Sequence, residues 1–564
     1  MYRHPIFTFF LVYTLISCNT IFGQTSLELI KGNERLELSW TGNNSENWND
    51  PLNWNPNQIP NESSNLTIPV SPPGGHFPII TSGQDTECND LTIEAGSSLR
   101  LRGFLSVYGN LDNNDENAII ILSDELGTGS LICESENVQA TVNRYLSDGV
   151  NHFIGAPVVG ATLNNLYFNN DPKVYLNEYR ESLGDWSLLS DLNTPLLPGI
   201  GYSVYVEASS NKENVTAQYK GNLRSTDLEL SGSSISYNEE SPYPGYNLIS
   251  NPFSSAISWD LGNWQAENIS GSIWLWNGSY NYLFRNAHEM GSLTGGVVPV
   301  SQAFFIKATN INPILTLSTN DRVHSIQNFY RSVERDNDTF IVLEVKKQDK
   351  VDEAWVAFCD ECTNGVDNGW DTEKLYGNQD SPQLFIIESE RKLSIDALPP
   401  LDEVTRTLQL NFIAGESGQH SIALAEIENG GMSGEIQVLL KDLLEDTEQL
   451  LSLNPTYYFE AGIEDSPNRF EIDIWEGPFG INSSQINNDY MIYSFENYIK
   501  IKPLHSSLNE KYTIQIIDFS GRIIRESEAY SDRETCILIN TKNSYVIARL
   551  ITDKSVVTKK LFIK

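Results

Sequence analysis

Apolar runs of only three or four residues, separated by turns rich in Gly and Asn, recur through the first part of this 564-residue chain. They are Leu66-Thr-Ile68, Leu91-Thr-Ile93, Ser98-Leu-Arg-Leu101, Leu105-Ser-Val107 and Ala118-Ile-Ile-Ile121. Strands this short and this close do not easily make a sandwich, whereas the stacked rungs of a β-solenoid need only one short strand per turn. Residues 25–140 are therefore expected to form a small solenoid-like unit. Trp40, Trp48 and Trp54 stand near its start. Exposed in a row, they would be glycan-binding candidates, since aromatic faces offer apolar area with polar rims. The plainer alternative, and the favoured one, is that they cover the first rung of the core.

An internal repeat follows. Gly149-Val-Asn-His-Phe-Ile-Gly-Ala-Pro157 is echoed by Gly245-Tyr-Asn-Leu-Ile-Ser-Asn-Pro252, and Gly201-Tyr-Ser-Val-Tyr-Val-Glu-Ala208 by Ser301-Gln-Ala-Phe-Phe-Ile-Lys-Ala308. Matching aromatic segments, Tyr175-Leu-Asn-Glu-Tyr179 and Ile273-Trp-Leu-Trp276, lie between the paired ends. Two tandem β modules, 141–235 and 236–320, explain the pattern. The period exceeds the ~20 to 50 residues of ordinary solenoid repeats, so each unit can be a small domain. A polar linker, 321–337, precedes alternating apolar runs over 338–475 that predict a β-sandwich. Within it, Leu439, Leu440, Leu443 and Leu444 are spaced as on a short helix over 436–453. A second linker, 476–490, leads to residues 491–564, whose seven or so short strands predict an Ig-like sandwich. The whole reads as a multidomain all-β chain.

Arg3 and His4 precede an apolar run from Ile6 to Ile16 that is too short to span a bilayer, so residues 1–23 read as a secretory signal peptide cleaved before Gln24. Leu15-Ile16-Ser17-Cys18 also resembles a lipobox, with Cys18 as the lipidated residue in that alternative. Beyond Cys18 there are five cysteines. Cys359 and Cys362 form a single CxxC without the second ligand pair of a structural zinc site, and a local disulfide is expected. Cys88 and Cys133 are candidates for a second bridge, which leaves Cys536 over. The formal charge of −37 argues against a nucleic-acid partner and against adsorption to an anionic membrane. That charge is unevenly spread. Residues 491–564 hold 12 Lys plus Arg against 8 Asp plus Glu, a net +4, which leaves −41 on residues 1–490. A separable, oppositely charged end suggests an address rather than a working part.

That end carries a recognisable pattern. Asp518-Phe-Ser-Gly521, then Tyr545-Val-Ile-Ala-Arg-Leu550, then Thr558-Lys559-Lys560-Leu-Phe-Ile-Lys564, resembles the type A C-terminal sorting domain of type IX secretion cargo. Ser544 stands where Gly usually precedes the Tyr, and Cys536 is unusual there. The resemblance implies a cargo protein that crosses the outer membrane through its secretion machinery, by a signal carried on Asp518, Gly521, Tyr545, Lys559 and Lys560. It further implies a secreted or surface location, with lipopolysaccharide as the anchor where the chain is retained. Trp48–Trp54, Tyr246–Pro252 and Asp367–Asp371 are similar to segments of uncharacterised surface proteins of the same class, which gives location and not activity.

Motifs of catalysis are missing: there is no HExxH, GxSxG, phosphate-binding glycine loop or dinucleotide fingerprint. The seven histidines are scattered singly, and carboxylates are too abundant for any one pair to be informative. Asp360, Asp367 and Asp371 would be calcium ligands if their loop gathered them, although the EF-hand pattern is missing and a solvated loop is the simpler expectation. No other cofactor is expected. The chain thus reads as an exported, non-enzymatic protein of adhesion or glycan binding, with extracellular glycans as partners. The alternative is a secreted carboxylate-dependent glycoside hydrolase or polysaccharide lyase.

Overall fold

The computed structural model describes residues 35–166, 174–207, 215–325, 339–401, 405–430, 435–476, 490–495, 498–503, 511–518, 521–530, 535–539, 544–551 and 556–563. The signal peptide with Cys18, and most of both expected linkers, lie outside the described residues. Among those described, the regular secondary structure is nearly all β-strand, and no helix is long and apolar enough to cross a membrane.

The short N-terminal runs stack in parallel on three faces. Leu36–Trp40, Ser64–Ile68, Leu91–Ile93 and Leu111–Asp112 follow one another on the first face. Ile79–Ile80, Leu99–Leu101 and Ile119–Ile121 form the second, and Asp85–Cys88, Phe104–Val107 and Ser130–Cys133 the third. Ile79, Leu99 and Ile119 begin equivalent strands at intervals of 20 residues. Each strand turns only about two apolar side chains inward, too few to bury alone. Stacking joins Leu66, Leu91, Leu101, Leu105, Ile119 and Leu131 into one dry column.

Ile119–Ile121 also pairs in parallel with Gln139–Leu146, which pairs antiparallel with Val215–Leu223. The solenoid sheet thus runs on into the next unit, and one hydrophobic core takes in residues from Leu38 to Leu223. Residue 140 is therefore no break between cores, in contrast to the boundary expected there. The repeated segments occupy equivalent strands. The order Asn151–Ile154, Tyr202–Val206, Val174–Arg180, Asp185–Leu189 in the first module recurs as Tyr246–Ser250, Ala303–Ala308, Ile269–Trp276, Tyr282–Arg285 in the second. Leu228–Ser231 pairs with Ile314–Leu317, so this strand of the expected first module belongs to the second.

Residues 339–476 form a single eleven-stranded sheet folded over on itself. Its edge strands, Thr447–Leu450 and Thr456–Ala461, nearly meet: Tyr457 Oη and Thr447 Oγ1 lie 3.0 Å apart, and Gln449 Nε2 donates to Thr456 O at 2.9 Å. Its interior packs Ile341, Leu343, Val356, Leu384, Leu410 and Ile472. The helix expected over 436–453 is instead a hairpin of Ile436–Asp442 and Thr447–Leu450. Pairing of Ile436–Asp442 with Phe470–Glu476 on its other side overrides the leucine spacing. Leu443 and Leu444 sit exposed at the turn, where Asp442 Oδ1 accepts from the backbone N–H groups of Leu444 and Glu445.

The opposite face of this sheet packs on the second module. Phe340, Val342, Trp355 and Ala357 meet Tyr246, Trp274, Phe284 and Phe305 in one aromatic core. Trp274 Nε1 donates to Glu373 O at 2.9 Å across that contact, and Asn286 Nδ2 to Trp370 O at 2.6 Å. At the C-terminus two antiparallel sheets, of three and four strands, enclose Ile499, Ile501, Tyr512, Ile514, Ile516 and Leu550 as a separate sandwich.

Candidate ligand-binding cleft

The tryptophans singled out in the sequence present no face to a ligand. Trp40, Trp48 and Trp54 are fully buried and meet edge to face, with centroids 5.0 and 4.9 Å apart. Trp40 Nε1 donates to His76 O at 2.7 Å and Trp54 Nε1 to Trp48 O at 2.8 Å. Their polar edges are thus met by backbone. These rings offer no surface for stacking on a sugar and instead close the end of the solenoid column.

The acidic loop is likewise built for itself. Asp371 accepts from the backbone N–H of Ala397 at 2.7 Å and from that of Asp367 at 2.5 Å, one on each oxygen. Asp367 accepts from Thr363 N at 2.6 Å and Thr363 Oγ1 at 3.1 Å. Burial, only partly offset by those two hydrogen bonds, pushes Asp371 up to about 6. Asp360 is exposed, and no group of three or more metal-ligating side chains gathers among the described residues, so Asp360, Asp367 and Asp371 are not assembled as a calcium set. Cys359 and Cys362 are joined by a disulfide. Cys88 and Cys133 are buried free thiols. Each is in register with Val107 on opposite sides of its strand. Two strand spacings, roughly 9 to 10 Å, separate them, beyond disulfide reach.

In the C-terminal sandwich, Asp518 and Gly521 form a tight turn. The Gly521 N–H donates to Asp518 O at 2.9 Å, the Asp518 carboxylate accepts from Arg522 N at 3.0 Å and Nε at 3.1 Å, and Gly521 has φ 78°, where a Cβ would be strained. Tyr545 is exposed in Ser544–Ile551, paired with the final strand Val556–Ile563 that holds Lys559 and Lys560.

Where the two repeat modules meet the eleven-stranded sheet, a different set of rings is open. Phe153 and Trp186 of the first module, Trp276 and Tyr282 of the second, and Tyr376 beyond them line a cleft of about 190 Å³. Phe153 lies 5.4 Å from Trp186 and 6.2 Å from both Trp276 and Tyr282, and Trp276 meets Tyr282 edge to face at 5.1 Å. Phe153 is buried as the floor, while Trp186, Trp276 and Tyr282 are half-buried walls. Asn151, Ser203 and Asn378 supply the polar rim. Trp186 comes from the hairpin Val174–Arg180 with Asp185–Leu189, and Trp276 and Tyr282 from the equivalent hairpin of the second module. The repeat itself thus sets rings on both sides of one gap. In the sequence, Trp276 lay in one of the paired aromatic segments and Phe153 in the repeated Gly149–Pro157 segment, while Trp186, Tyr282 and Tyr376 carried no such signal.

Phe153 and Trp276 also line an adjoining cavity of about 230 Å³, with Arg144, His152 and Gln302. Arg144 Nη2 donates to Gln302 Oε1 at 3.0 Å, while its Nε and the Trp276 Nε1 are buried without a hydrogen-bond acceptor. Burial pushes Arg144 below the ordinary guanidinium value. Burial also holds His152 below the ordinary imidazole range, against the pull of its hydrogen bond to Ser147 O. His152 is therefore neutral near pH 7.

A larger cleft, about 460 Å³, lies between the second module and the acidic loop, but its polar groups answer one another. Glu373 is held between Lys307 and Arg391 and accepts from Tyr246 Oη at 3.1 Å. Ser272 Oγ and Thr372 Oγ1 lie 2.9 Å apart. A site whose donors and acceptors are already matched gains little from a ligand.

Three comparisons bear on this arrangement. A family model described as a domain of unknown function, DUF8693, matches residues 39–474, all of the chain from the tryptophan cap to the end of the eleven-stranded sheet. The minor fimbrium subunit Mfa5 of Porphyromonas gingivalis is 22% identical over 502 residues, covering 77% of this chain. The chain spans only 39% of that relative's length. Among solved structures, the FN1–FN3 domains of chicken CNTN1 match at 10% identity over 41% of this chain and 97% of theirs, with a TM-score of 0.12.

Proposed function

The chain belongs to the DUF8693 family, and from that premise we propose that it is an exported, non-enzymatic cell-surface protein that binds extracellular glycans in the aromatic cleft. The observation that carries this is the open arrangement of Phe153, Trp186, Trp276 and Tyr282 with a rim of Asn151, Ser203 and Asn378. Sugar rings present apolar faces edged by hydroxyls, and half-buried aromatic walls beneath amide and hydroxyl groups complement both. Similarity to a fimbrium subunit supports a place at the cell surface and a role in adhesion.

Export is assigned to the C-terminal sandwich as a type IX sorting domain. The tight Asp518–Gly521 turn, the positive charge of residues 491–564 and the position of this sandwich outside the family match support that role. Its partners are then the outer-membrane secretion machinery and, on retention, lipopolysaccharide. Whole-cell surface labelling checks it. Deletion of residues 491–564 is expected to strand the protein in the periplasm, and undiminished display defeats the assignment.

The glycan reading is tested by screening the full chain on a glycan array and, in parallel, assaying polysaccharides for release of products. Binding without turnover, lost in Trp186→Ala, is the expected result. Turnover would replace this reading with the hydrolase, and binding that survives both Trp186→Ala and Trp276→Ala would place the site elsewhere.

A further inference from the structure

Arg144 is a guanidinium with no carboxylate partner among the described residues, in a chain with 74 acidic residues against 37 basic ones. The fully buried arginines and lysines among the described residues are paired, whereas Arg144 is half-buried with a shielded Nε, as is Arg224, which bonds only Thr226 Oγ1 and Asp227 O. Arg285 pairs with Asp260, Lys347 with Glu416, Lys374 with Asp352 and Arg469 with Asp442. Buried charges are normally paired, because an unpaired one forfeits its hydration with nothing in return. Arg144 faces a cavity instead, and no Asp or Glu among the described residues lines it. With His152 neutral, Arg144 is the one cation among the described residues of its lining. Trp276 also lines this cavity, and its buried Nε1 lacks an acceptor. Two unmet donors, one of them charged, describe the complement of an anion. Phe153 and Trp276 are shared with the aromatic cleft, so the two spaces adjoin and one ligand could reach both.

We infer that the ligand is an acidic glycan, a uronic or sialic acid residue whose carboxylate sits against Arg144 and the Trp276 N–H while its neighbouring sugar stacks in the cleft. This rests on the glycan reading above and adds its specificity. Gln302 is a positioning residue: its Oε1 holds Arg144 Nη2, and its Nε2 donates to Phe153 O at 2.9 Å, tying the guanidinium to the cleft floor. Phosphate would offer the same charge. The flat rings beside the cavity and its modest volume favour a carboxylate borne on a sugar.

Calorimetric titration of the full chain with matched pairs tests this: sialyllactose against lactose, and a glucuronate disaccharide against its carboxyl-reduced form, with a glutamate-rich peptide and inorganic phosphate as further arms. At least one acidic sugar is expected to bind about tenfold to a hundredfold tighter than its neutral partner, the worth of a charge-assisted hydrogen bond. The arm that shows the preference identifies the acid. Arg144→Gln should abolish the preference, whereas Trp186→Ala should weaken both members alike. If Arg144→Gln does not fold, Trp276→Phe serves, since it keeps a ring, removes the N–H and should cut the preference severalfold. Equal binding within both pairs, or a preference that survives these substitutions, overturns the inference while leaving the glycan reading intact. Binding of the peptide or phosphate without either acidic sugar overturns it as well. If no sugar binds, the glycan reading fails first and this inference with it.

Discussion

Asp396 has no exposed surface, and neither of its oxygens has a hydrogen-bond partner. It stands in parallel register with Val356, on the face of its strand that shares the interior of the eleven-stranded sheet with Leu398. Burial first, then the charges of Asp371, Glu388 and Asp367, push it up to about 7. In the unfolded chain it titrates near the usual ~3.9. The folded state therefore holds the proton more tightly than the unfolded one. Stability is highest below the unfolded value, falls as pH rises through this window, and levels off above about 7. A gap of about three units at 1.36 kcal/mol each makes the ionised group cost about 4 kcal/mol at pH 8 and about 1.5 kcal/mol at pH 5. Asp396→Asn keeps the shape and cannot ionise. Since neutral Asp and Asn both lack partners there, the difference between the two proteins isolates the charge. The variant should be the more stable one, by a margin that grows by roughly 2 to 3 kcal/mol from pH 5 to pH 8. A chain of several units need not unfold in one step. Hydrogen exchange of the amides in Arg391–Leu398, corrected for intrinsic rates, follows the opening of this sheet alone. A margin that is the same at both pH values, or no margin, would show that Asp396 is not held ionised at a cost and would refute the account.

Arg469 and Asp442 are each about 1% exposed at the side chain and bonded through Nε and Nη2, so Arg469→Met strips the buried carboxylate of its counter-charge, leaving it only the N–H groups of Leu444 and Glu445 and the Tyr457 hydroxyl, and should cost about 3 to 5 kcal/mol. Adding Asp442→Leu should recover much of that, as urea midpoints would record. Trp40→Ala should lower stability by about 3 to 5 kcal/mol in the same assay through the cavity it leaves, without changing glycan affinity, the converse of Trp186→Ala. Burial pushes the Cys88 thiol up to about 12 and the Cys133 thiol to about 11. Peptide-level alkylation at pH 8 should therefore leave both unlabelled until the chain is denatured, and rapid labelling of either in the native protein would show that the solenoid column is not closed.

Several features of this protein were legible in its residue pattern because they are local. A rung of the solenoid is specified by its own three or four residues and a turn, and the tandem modules by segments that repeat within the chain, so both could be read before any packing was known. The CxxC disulfide closes within four residues. Leucine spacing over 436–453 fitted two periods, and only the neighbouring strand Phe470–Glu476, far along the chain, decided for the hairpin. Sidedness was hidden in the same way. Three tryptophans close in sequence announced a cluster, but whether it faced water or core depended on the column beneath it. The open cleft draws Phe153, Trp186, Trp276, Tyr282 and Tyr376 from three units. Arg144 looked like any other arginine until the fold surrounded it with neutral groups. Burial and the lack of a counter-charge belong to three-dimensional neighbourhoods, and a linear order of residues does not contain them.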